Sequence, residues 1–295
     1  MIGSAILPAI DARLAAALAA PCVRYRPLVV GGDALGWLDD ARAKKLTRYR
    51  RIFCVEHTRI TFDTKLVDAS SRSAAVADVA RALRDERELP AWRDELYAVV
   101  TAFGAAPAFN IERGAARWFG VRTWAAHVNG ITGRDGKIRT WFARRSADKA
   151  VDPGLLDNLV GGGISAGMRV EQTVVKEAWE EAGIRADVAK RARPAGALHV
   201  RRVVADGLQR ETIFVHDLAL APDFRPSNQD GEAHDHRLVD LAQAARLIAV
   251  TDGADEVTVD ASLVVLDFLL RHGAIAPDAP HYVSLETLRF AGADR

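Results

Sequence analysis

The chain has 295 residues, 49% of them hydrophobic, and a formal net charge of +1. This length suggests two domains, or one large domain with an extension, and the apolar content is enough for sizeable cores. A charge near zero without a long basic run argues against nucleic acid as the main partner. Cys22 and Cys54 are the only cysteines, as is typical of a reduced environment, and no apolar run approaches the ~20 residues of a membrane span. We therefore expect a soluble, cytoplasmic protein.

Residues 1–110 predict a small α/β domain. Residues 1–20 are expected to form a short amphipathic helix and not a signal peptide, since a basic leader is missing. A helix over 73–88 follows from apolar residues at helical spacing, with Ser73 as its cap. The other predicted elements are a glycine-turned hairpin at 24–38, a helix at 40–49, a buried strand at 52–55 and a short helix that begins at 92–97.

Residues 111–295 predict a second, larger domain. Predicted strands are 121–131, 137–145, 195–204 and 211–220, and predicted helices are 112–120, 241–249 and 262–272, the last closing the domain. A further helix precedes Gly183, which is expected to end it as a left-handed C-cap. Strands around this central helix, with other helices outside, predict an α/β/α sandwich.

A glycine-rich stretch, Gly161-Gly162-Gly163, leads into the central helix. Glycines let the backbone approach a ligand or metal closely. On the helix, Glu177, Glu180 and Glu181 are spaced i, i+3, i+4 and so share one face, where like charges repel. A divalent cation would relieve that repulsion, and carboxylate oxygens suit Mg²⁺ or Mn²⁺. The alternative is a solvated acidic helix face.

The order of glycine loop, helix and Glu-x-x-Glu-Glu-x-Gly-Ile resembles the Nudix box of the diphosphate hydrolases. Met168 stands where the box has its first glutamate, and Lys176 where it has arginine. The positions that match the box are Gly162, Glu177, Glu180, Glu181, Gly183 and Ile184.

Motifs at 92–97, 143–149 and 208–212 resemble one Nudix subfamily. Its members have an extra N-terminal domain and are similar to the Nudix portion of fungal thiamine pyrophosphokinase fusions. Lysine before the first glutamate and a missing loop glutamate are ordinary in that subfamily, so both departures fit the resemblance.

The resemblance implies a pyrophosphatase that depends on Mg²⁺ or Mn²⁺. Glu177, Glu180 and Glu181 would hold the metal, with the backbone near Gly162 completing the shell. A metal-activated water would attack phosphorus in line, and either Glu181 or Glu177 could accept its proton. Glu232 is a candidate distal base or fourth carboxylate, the alternative being an ordinary surface glutamate.

Other candidates concern the loop and the substrate. Lys176 is expected to brace the glycine loop, with phosphate contact as the alternative. Candidate substrate-binding residues are Arg144, Gln209 and Arg210. Core packing is the first expectation for Trp92, Tyr97, Trp118 and Phe119, with stacking on a ring of the substrate as the alternative.

By analogy with the subfamily, the substrate is expected to be a small-molecule diphosphate. Oxidised or deaminated thiamine diphosphate analogues, cleaved to the monophosphate and phosphate, are the first choice. Nucleoside diphosphate sugars or dinucleotides are an alternative, and so is a catalytically silent Nudix module that binds a ligand. An isopentenyl-diphosphate isomerase is disfavoured because no cysteine lies near the box. A homodimer is left open.

Overall fold

The computed structural model describes residues 2–19, 23–89, 92–133 and 137–293. The helices in these ranges are α1 Leu7–Ala17, α2 Asp40–Leu46, α3 Ala69–Asp85, α4 Val170–Ala182, α5 Ala186–Ala189, α6 Leu241–Ile248, α7 Val259–Arg271 and α8 Tyr282–Leu288. The strands are β1 Tyr25–Val30, β2 Asp33–Asp39, β3 Phe53–Val55, β4 Ile60–Phe62, β5 Leu96–Val99, β6 Phe109–Glu112, β7 Arg122–Thr132, β8 Arg139–Arg145, β9 Leu156–Asn158, β10 Val160–Gly163, β11 Arg193–Val204, β12 Gly207–Ala219 and β13 Ala233–Asp240.

The first domain is built on a sheet of order β2-β1-β4-β3 and on the pair β5-β6. The predicted hairpin is present as β1 and β2, and the strand predicted at 52–55 as β3. Helix α3 buries Val76, Val79 and Leu83 in the core of this domain, because its apolar residues recur at helical spacing. The amphipathic helix was therefore predicted correctly, but not its start.

Ser73 does not cap helix α3, so that prediction is wrong. Asp68 is the cap: its carboxylate accepts the backbone N–H of Ser71 at 2.7 Å, and Ser71 completes a capping box. Aspartate with a hydroxyl residue three positions on satisfies the first free N–H groups of a helix. Ser73 lies inside the helix, and its hydroxyl accepts the backbone N–H of Asn110 at 2.8 Å.

The predicted helix at 92–97 is also wrong. Asp94 has a φ of 55°, a left-handed conformation that interrupts a right-handed helix. The chain then forms strand β5, which pairs with β6. Similarly, the helix predicted at 112–120 is reduced to a single 3₁₀ turn, Arg113–Ala115. Between the strands predicted at 121–131 and 137–145, residues 134–136 lie outside the described residues, and so does Cys22.

The second domain has a sheet of order β11-β12-β7-β8-β13, with β10 beside β7 and β9 beside β8. Helix α4 packs Val174 and Ala178 on one face of this sheet. Helices α6 and α7 pack on the other face, where Ala125 and Ile213 join their core. Neighbouring residues of a strand point to opposite faces, so β7 contributes to both cores. The α/β/α sandwich with a smaller α/β domain is confirmed.

Helix α1 packs against the second domain, although it precedes the first. Leu7, Ile10 and Leu14 lie in the core formed by α6, α7 and α8. The Arg13 guanidinium donates to the Ile248 carbonyl at 3.0 Å and to the Ser262 hydroxyl at 2.8 Å. The predicted domain limits, 1–110 and 111–295, stay a prediction, and the packing of α1 departs from them. Helix α8 follows α7, so α7 does not close the domain.

No helix in the described ranges is long and apolar enough to cross a membrane.

Candidate active site

The glycine-rich stretch forms strand β10, not a loop. Gly161, Gly162 and Gly163 pair with residues of β7, and Gly161 lies opposite His127. A Cβ atom on Gly162 would overlap the Glu177 carboxylate, and one on Gly161 would lie 2.9 Å from the His127 ring. A Cβ atom on Gly163 would overlap the Tyr97 hydroxyl. The glycines therefore make room for three side chains that converge on one strand.

Helix α4 places two of the three candidate glutamates, Glu177 and Glu181, against this strand. Glu181 is buried, and its carboxylate accepts the backbone N–H of Gly161 at 2.8 Å. Glu177 packs on Gly162. The helix ends at Gly183, whose φ of 65° confirms the predicted left-handed C-cap. Because the two glutamates are four residues apart, they reach successive glycines of β10.

Lys176 does not brace the glycine stretch, and that prediction is wrong. Its ammonium donates to the Glu177 carboxylate at 2.9 Å and to the Glu180 carboxylate at 2.6 Å. The segment between β10 and α4 is held by the first domain instead. The Leu96 carbonyl accepts the backbone N–H of Ala166 at 2.7 Å, and the Ser165 hydroxyl contacts the Glu95 carboxylate.

Burial and crowding make these carboxylates costly to ionise. Burial, and then the neighbouring Glu177 carboxylate, raise the pKa of Glu181 to about 8. Burial also raises the pKa of Glu177, although Lys176 opposes this shift. Asp157 adds a further negative charge near Glu181.

A divalent cation fits this set of donors. Within the described ranges, no three His, Cys, Asp or Glu side chains converge as a ready-made metal shell. The donors are nevertheless hard oxygens, and the Lys176 ammonium already places one positive charge between Glu177 and Glu180. Hard oxygen ligands suit Mg²⁺ and Mn²⁺.

A cavity of about 160 Å³ borders strand β10. The cationic side chains that line it are Arg93, Arg113, Arg117, Arg145 and Lys149. The acidic ones are Asp152, Asp157, Asp206, Glu211, Glu232 and Asp260. Tyr97, His127 and the three glycines complete the wall next to helix α4. Glu177 and Glu181 do not line the cavity themselves, but they pack against two glycines that do, Gly162 and Gly161.

Arg144 lies outside this cavity, and its neighbour Arg145 lines it. The Arg144 guanidinium donates to the Asp255 carboxylate at 3.0 Å and to the Gly154 carbonyl at 2.9 Å. Arg145 donates to the cavity residue Asp157 at 2.9 Å. The two arginines differ because alternate residues of a strand point to opposite faces.

The other predicted substrate residues are also displaced from the cavity. Gln209 is buried behind it, and its amide donates to the Glu211 carboxylate at 3.0 Å and to the Asp260 carboxylate at 2.8 Å. Arg210 points toward the first domain, where its guanidinium lies 5.9 Å from the centre of the Trp37 ring. Glu232 does line the cavity, where its carboxylate contacts the Lys149 ammonium.

Among the four aromatic candidates, Tyr97 lines the cavity. Trp118 and Phe119 are buried in the core of the first domain, as the first expectation held. The Arg84 guanidinium lies over the Trp92 ring, with its central carbon 4.7 Å from the centre of that ring.

Sequence reasoning did not single out several residues of this cavity. Arg113, His127 and Lys149 belong to this group, as does Asp157. Period-2 alternation along β8 could have separated Arg145 from Arg144. No local pattern marks Arg113 or His127, because both reach the cavity through contacts distant in sequence.

Family models match two successive parts of the chain. Residues 15–123 match a domain of unknown function (DUF4743), and residues 121–260 match the NUDIX domain. The crystal structure of DR0079 from Deinococcus radiodurans, with a TM-score of 0.44 and 23% identity, covers 58% of this chain and 97% of its own.

Two curated Arabidopsis thaliana proteins are similar over most of their length. Nudix hydrolase 24, chloroplastic, is 38% identical over 263 residues, which are 88% of this chain and 71% of that protein. Nudix hydrolase 20, chloroplastic, is 36% identical over 270 residues, again 88% of this chain and 71% of that protein. With this likeness, and with the acidic helix facing a glycine strand, the chain belongs to the Nudix hydrolase family.

Proposed function

We propose that this protein is a metal-dependent pyrophosphatase that hydrolyses a small-molecule diphosphate in the cavity beside β10. One observation carries the proposal: Glu181 and Glu177 pack against Gly161 and Gly162, and these two glycines line a cavity that cationic side chains also line. A diphosphate is strongly anionic and needs positive charge around it. Buried carboxylates beside such a site suit a bridging cation.

Glu177, Glu181 and, once released from Lys176, Glu180 would hold Mg²⁺ or Mn²⁺, with the backbone near Gly162. When bound, such an ion neutralises diphosphate oxygens and lowers the pKa of a coordinated water. The chain itself supplies Arg145 and Lys149 to bind the anionic oxygens. For the proton of the attacking water, Glu177, Glu181 and Glu232 are the candidate acceptors.

For the substrate, we propose an oxidised or deaminated thiamine diphosphate analogue, cleaved to the monophosphate and phosphate. The subfamily motifs at 92–97, 143–149 and 208–212 support this choice. So does the Tyr97 ring at the cavity wall, because aromatic faces are suited to flat heterocycles. A cytoplasmic location and a homodimer stay predictions.

The test follows product release by chromatography, with and without Mg²⁺, for oxothiamine diphosphate, thiamine diphosphate and ADP-ribose. We expect Mg²⁺-dependent hydrolysis with the largest kcat/KM for oxothiamine diphosphate, since that ratio measures discrimination between substrates. If ADP-ribose is preferred by tenfold, about 1.4 kcal/mol, the thiamine assignment fails and the diphosphatase chemistry stands. Absence of hydrolysis across a wider diphosphate panel would refute the enzyme proposal.

A matched pair of variants links any activity to this site. Glu181→Gln removes a buried carboxylate of α4, whereas Glu171→Gln removes an exposed one from the first turn of the same helix. We expect loss of activity only in Glu181→Gln. Equal activity in both variants would place the reaction elsewhere.

A further inference from the structure

Arg113 lines the cavity although it lies outside the matched NUDIX segment. It belongs to residues 15–123, which match the domain of unknown function, and the NUDIX match begins at residue 121. Its guanidinium shares the cavity with Gly161, Gly162 and Gly163. The first domain therefore reaches the strand on which the glutamates of α4 pack.

Contacts from neighbouring residues hold the Arg113 side chain in place. Its Nη1 donates to the Glu95 carboxylate at 2.7 Å. Its guanidinium carbon lies 5.7 Å from the centre of the Tyr97 ring, within the range of a cation–π contact. The backbone before Arg113 is fixed as well, because the buried Glu112 carboxylate accepts the backbone N–H of Arg93 at 2.7 Å. Arg113 is thus held before any ligand binds.

Arg113 shares the cavity with two cations of the second domain, Arg145 and Lys149. Arg145 and Lys149 already pair with cavity acids, Asp157 and Glu232 respectively. Arg113 pairs with Glu95 through Nη1, and a guanidinium has five N–H donors in a planar fork. This fork matches two oxygens of a phosphate group.

We propose that Arg113 binds the diphosphate of the substrate, so that the domain of unknown function supplies an anion-binding residue to the active site. Glu95 and Tyr97 are positioning residues that hold the guanidinium. This inference rests on the proposed function, because it names a residue that binds the same substrate. The first domain then completes the site instead of only packing beside it.

The experiment compares Arg113→Ala and Arg113→Lys with the control Arg59→Ala. Arg59 also belongs to the first domain and pairs with a glutamate, Glu56, at 2.8 Å, but it does not line the cavity. For each variant we would measure KM and kcat, the Kd of methylenediphosphonate by calorimetry with Mg²⁺, and the Tm. Methylenediphosphonate cannot be hydrolysed, so its Kd reports binding independently of turnover.

We expect Arg113→Ala to raise KM and the Kd of methylenediphosphonate at least tenfold. Arg113→Lys should recover part of both losses, because lysine restores the charge but not the fork. Arg59→Ala should change neither value. Unchanged KM and Kd in a folded Arg113→Ala variant would overturn the proposal. If Arg113→Ala does not fold, Arg113→Lys decides: a Kd equal to that of the wild type overturns it.

Glu95→Gln tests the positioning role in a double-mutant cycle. We expect this change to raise the Kd of methylenediphosphonate in the wild-type background and to have no effect in the Arg113→Ala background. Equal effects in both backgrounds would show that Glu95 acts without Arg113. Should the wild type hydrolyse no diphosphate, the proposed enzyme function fails. The Kd comparison between wild type and Arg113→Ala still tests the anion site.

Discussion

Two walls of the same cavity come from different domains and carry different chemistry. The acidic wall, from the second domain, is the glycine strand Gly161–Gly163, against which buried Glu181 and half-buried Glu177 pack from helix α4. The cationic wall, from the first domain, consists of Arg113 and the Tyr97 ring. Carboxylates beside a metal act on the reacting water, whereas fixed cations hold the anionic substrate. We therefore expect changes in the cations that line the cavity, such as Arg113, to act mainly on KM and changes in the carboxylates of α4 mainly on kcat.

The largest effect is expected from Glu181→Gln in the acidic wall. This change should lower kcat roughly a hundredfold or more, the scale of losing a principal electrostatic or general-base group. The Tm should hold or rise, because a carboxylate crowded by Glu177 and Asp157 is removed. Steady-state kinetics and thermal denaturation measure the two quantities. A variant with full activity would contradict the assignment of this wall.

Where the walls meet, Gly163→Ala should push the Tyr97 side chain away. The added methyl group overlaps the tyrosine hydroxyl, and overpacking of this kind costs about 1–3 kcal/mol. Tyr97→Phe removes that hydroxyl, so the double variant should be more stable than Gly163→Ala alone. Urea denaturation of the four proteins gives the coupling energy. Strictly additive losses would show that the two residues do not touch.

The protonation of Glu181 in the acidic wall should make the free energy of unfolding depend on pH. The folded-state pKa of Glu181 is about 8 and its ordinary value is 4.5. Between these values the folded chain keeps a proton that the unfolded chain has released. The free energy of unfolding without metal should therefore fall as pH rises, by at most about 1.4 kcal/mol per pH unit. The contribution is complete below pH 4.5 and lost above pH 8.

Tm values measured in EDTA from pH 5 to pH 8 check this slope. Glu181→Gln should flatten it, since glutamine does not titrate. A slope that persists unchanged in the variant would assign the effect to other groups.

The smallest effect is expected from the neighbouring arginines of β8. Arg145→Ala should raise KM several-fold, because it removes a cation from the cavity. Arg144→Ala should leave KM within about twofold and cost about 1 kcal/mol of stability, the scale of a hydrogen-bonded surface ion pair. Steady-state kinetics and urea denaturation of both variants test whether Arg145 serves substrate binding and Arg144 serves stability. A raised KM in Arg144→Ala but not in Arg145→Ala would contradict this assignment.

The acidic wall was largely predictable because its signals are local. Glu177 and Glu181 lie one helical turn apart, and Gly183 ends the helix in the left-handed conformation that its position suggested. The strand conformation of Gly161–Gly163 was harder to predict. A run of glycines indicates close approach, but whether a ligand or a side chain approaches depends on the opposite strand and on Tyr97.

The cationic wall was not predictable in this way. Arg113 reaches the cavity because Glu95 and β6 place it there, and no spacing in the sequence encodes that contact. Arg144 and Arg210 were chosen from motifs, yet each points away from the cavity because its strand presents that position on the other face. A side chain's direction follows from strand register, and register is set by pairing partners distant in sequence.

Helix α1 has a consequence for the order in which the molecule assembles during synthesis. Its contacts through Arg13 span 235 to 249 residues of chain. When α1 leaves the ribosome, its apolar side chains, Leu7, Ile10 and Leu14, have no partners until α7 has been made. The first domain can fold in that interval, because its strands and α3 lie close in sequence. The second core must close late, since distant contacts form slowly, and until then α1 exposes an apolar stripe to which chaperones can bind.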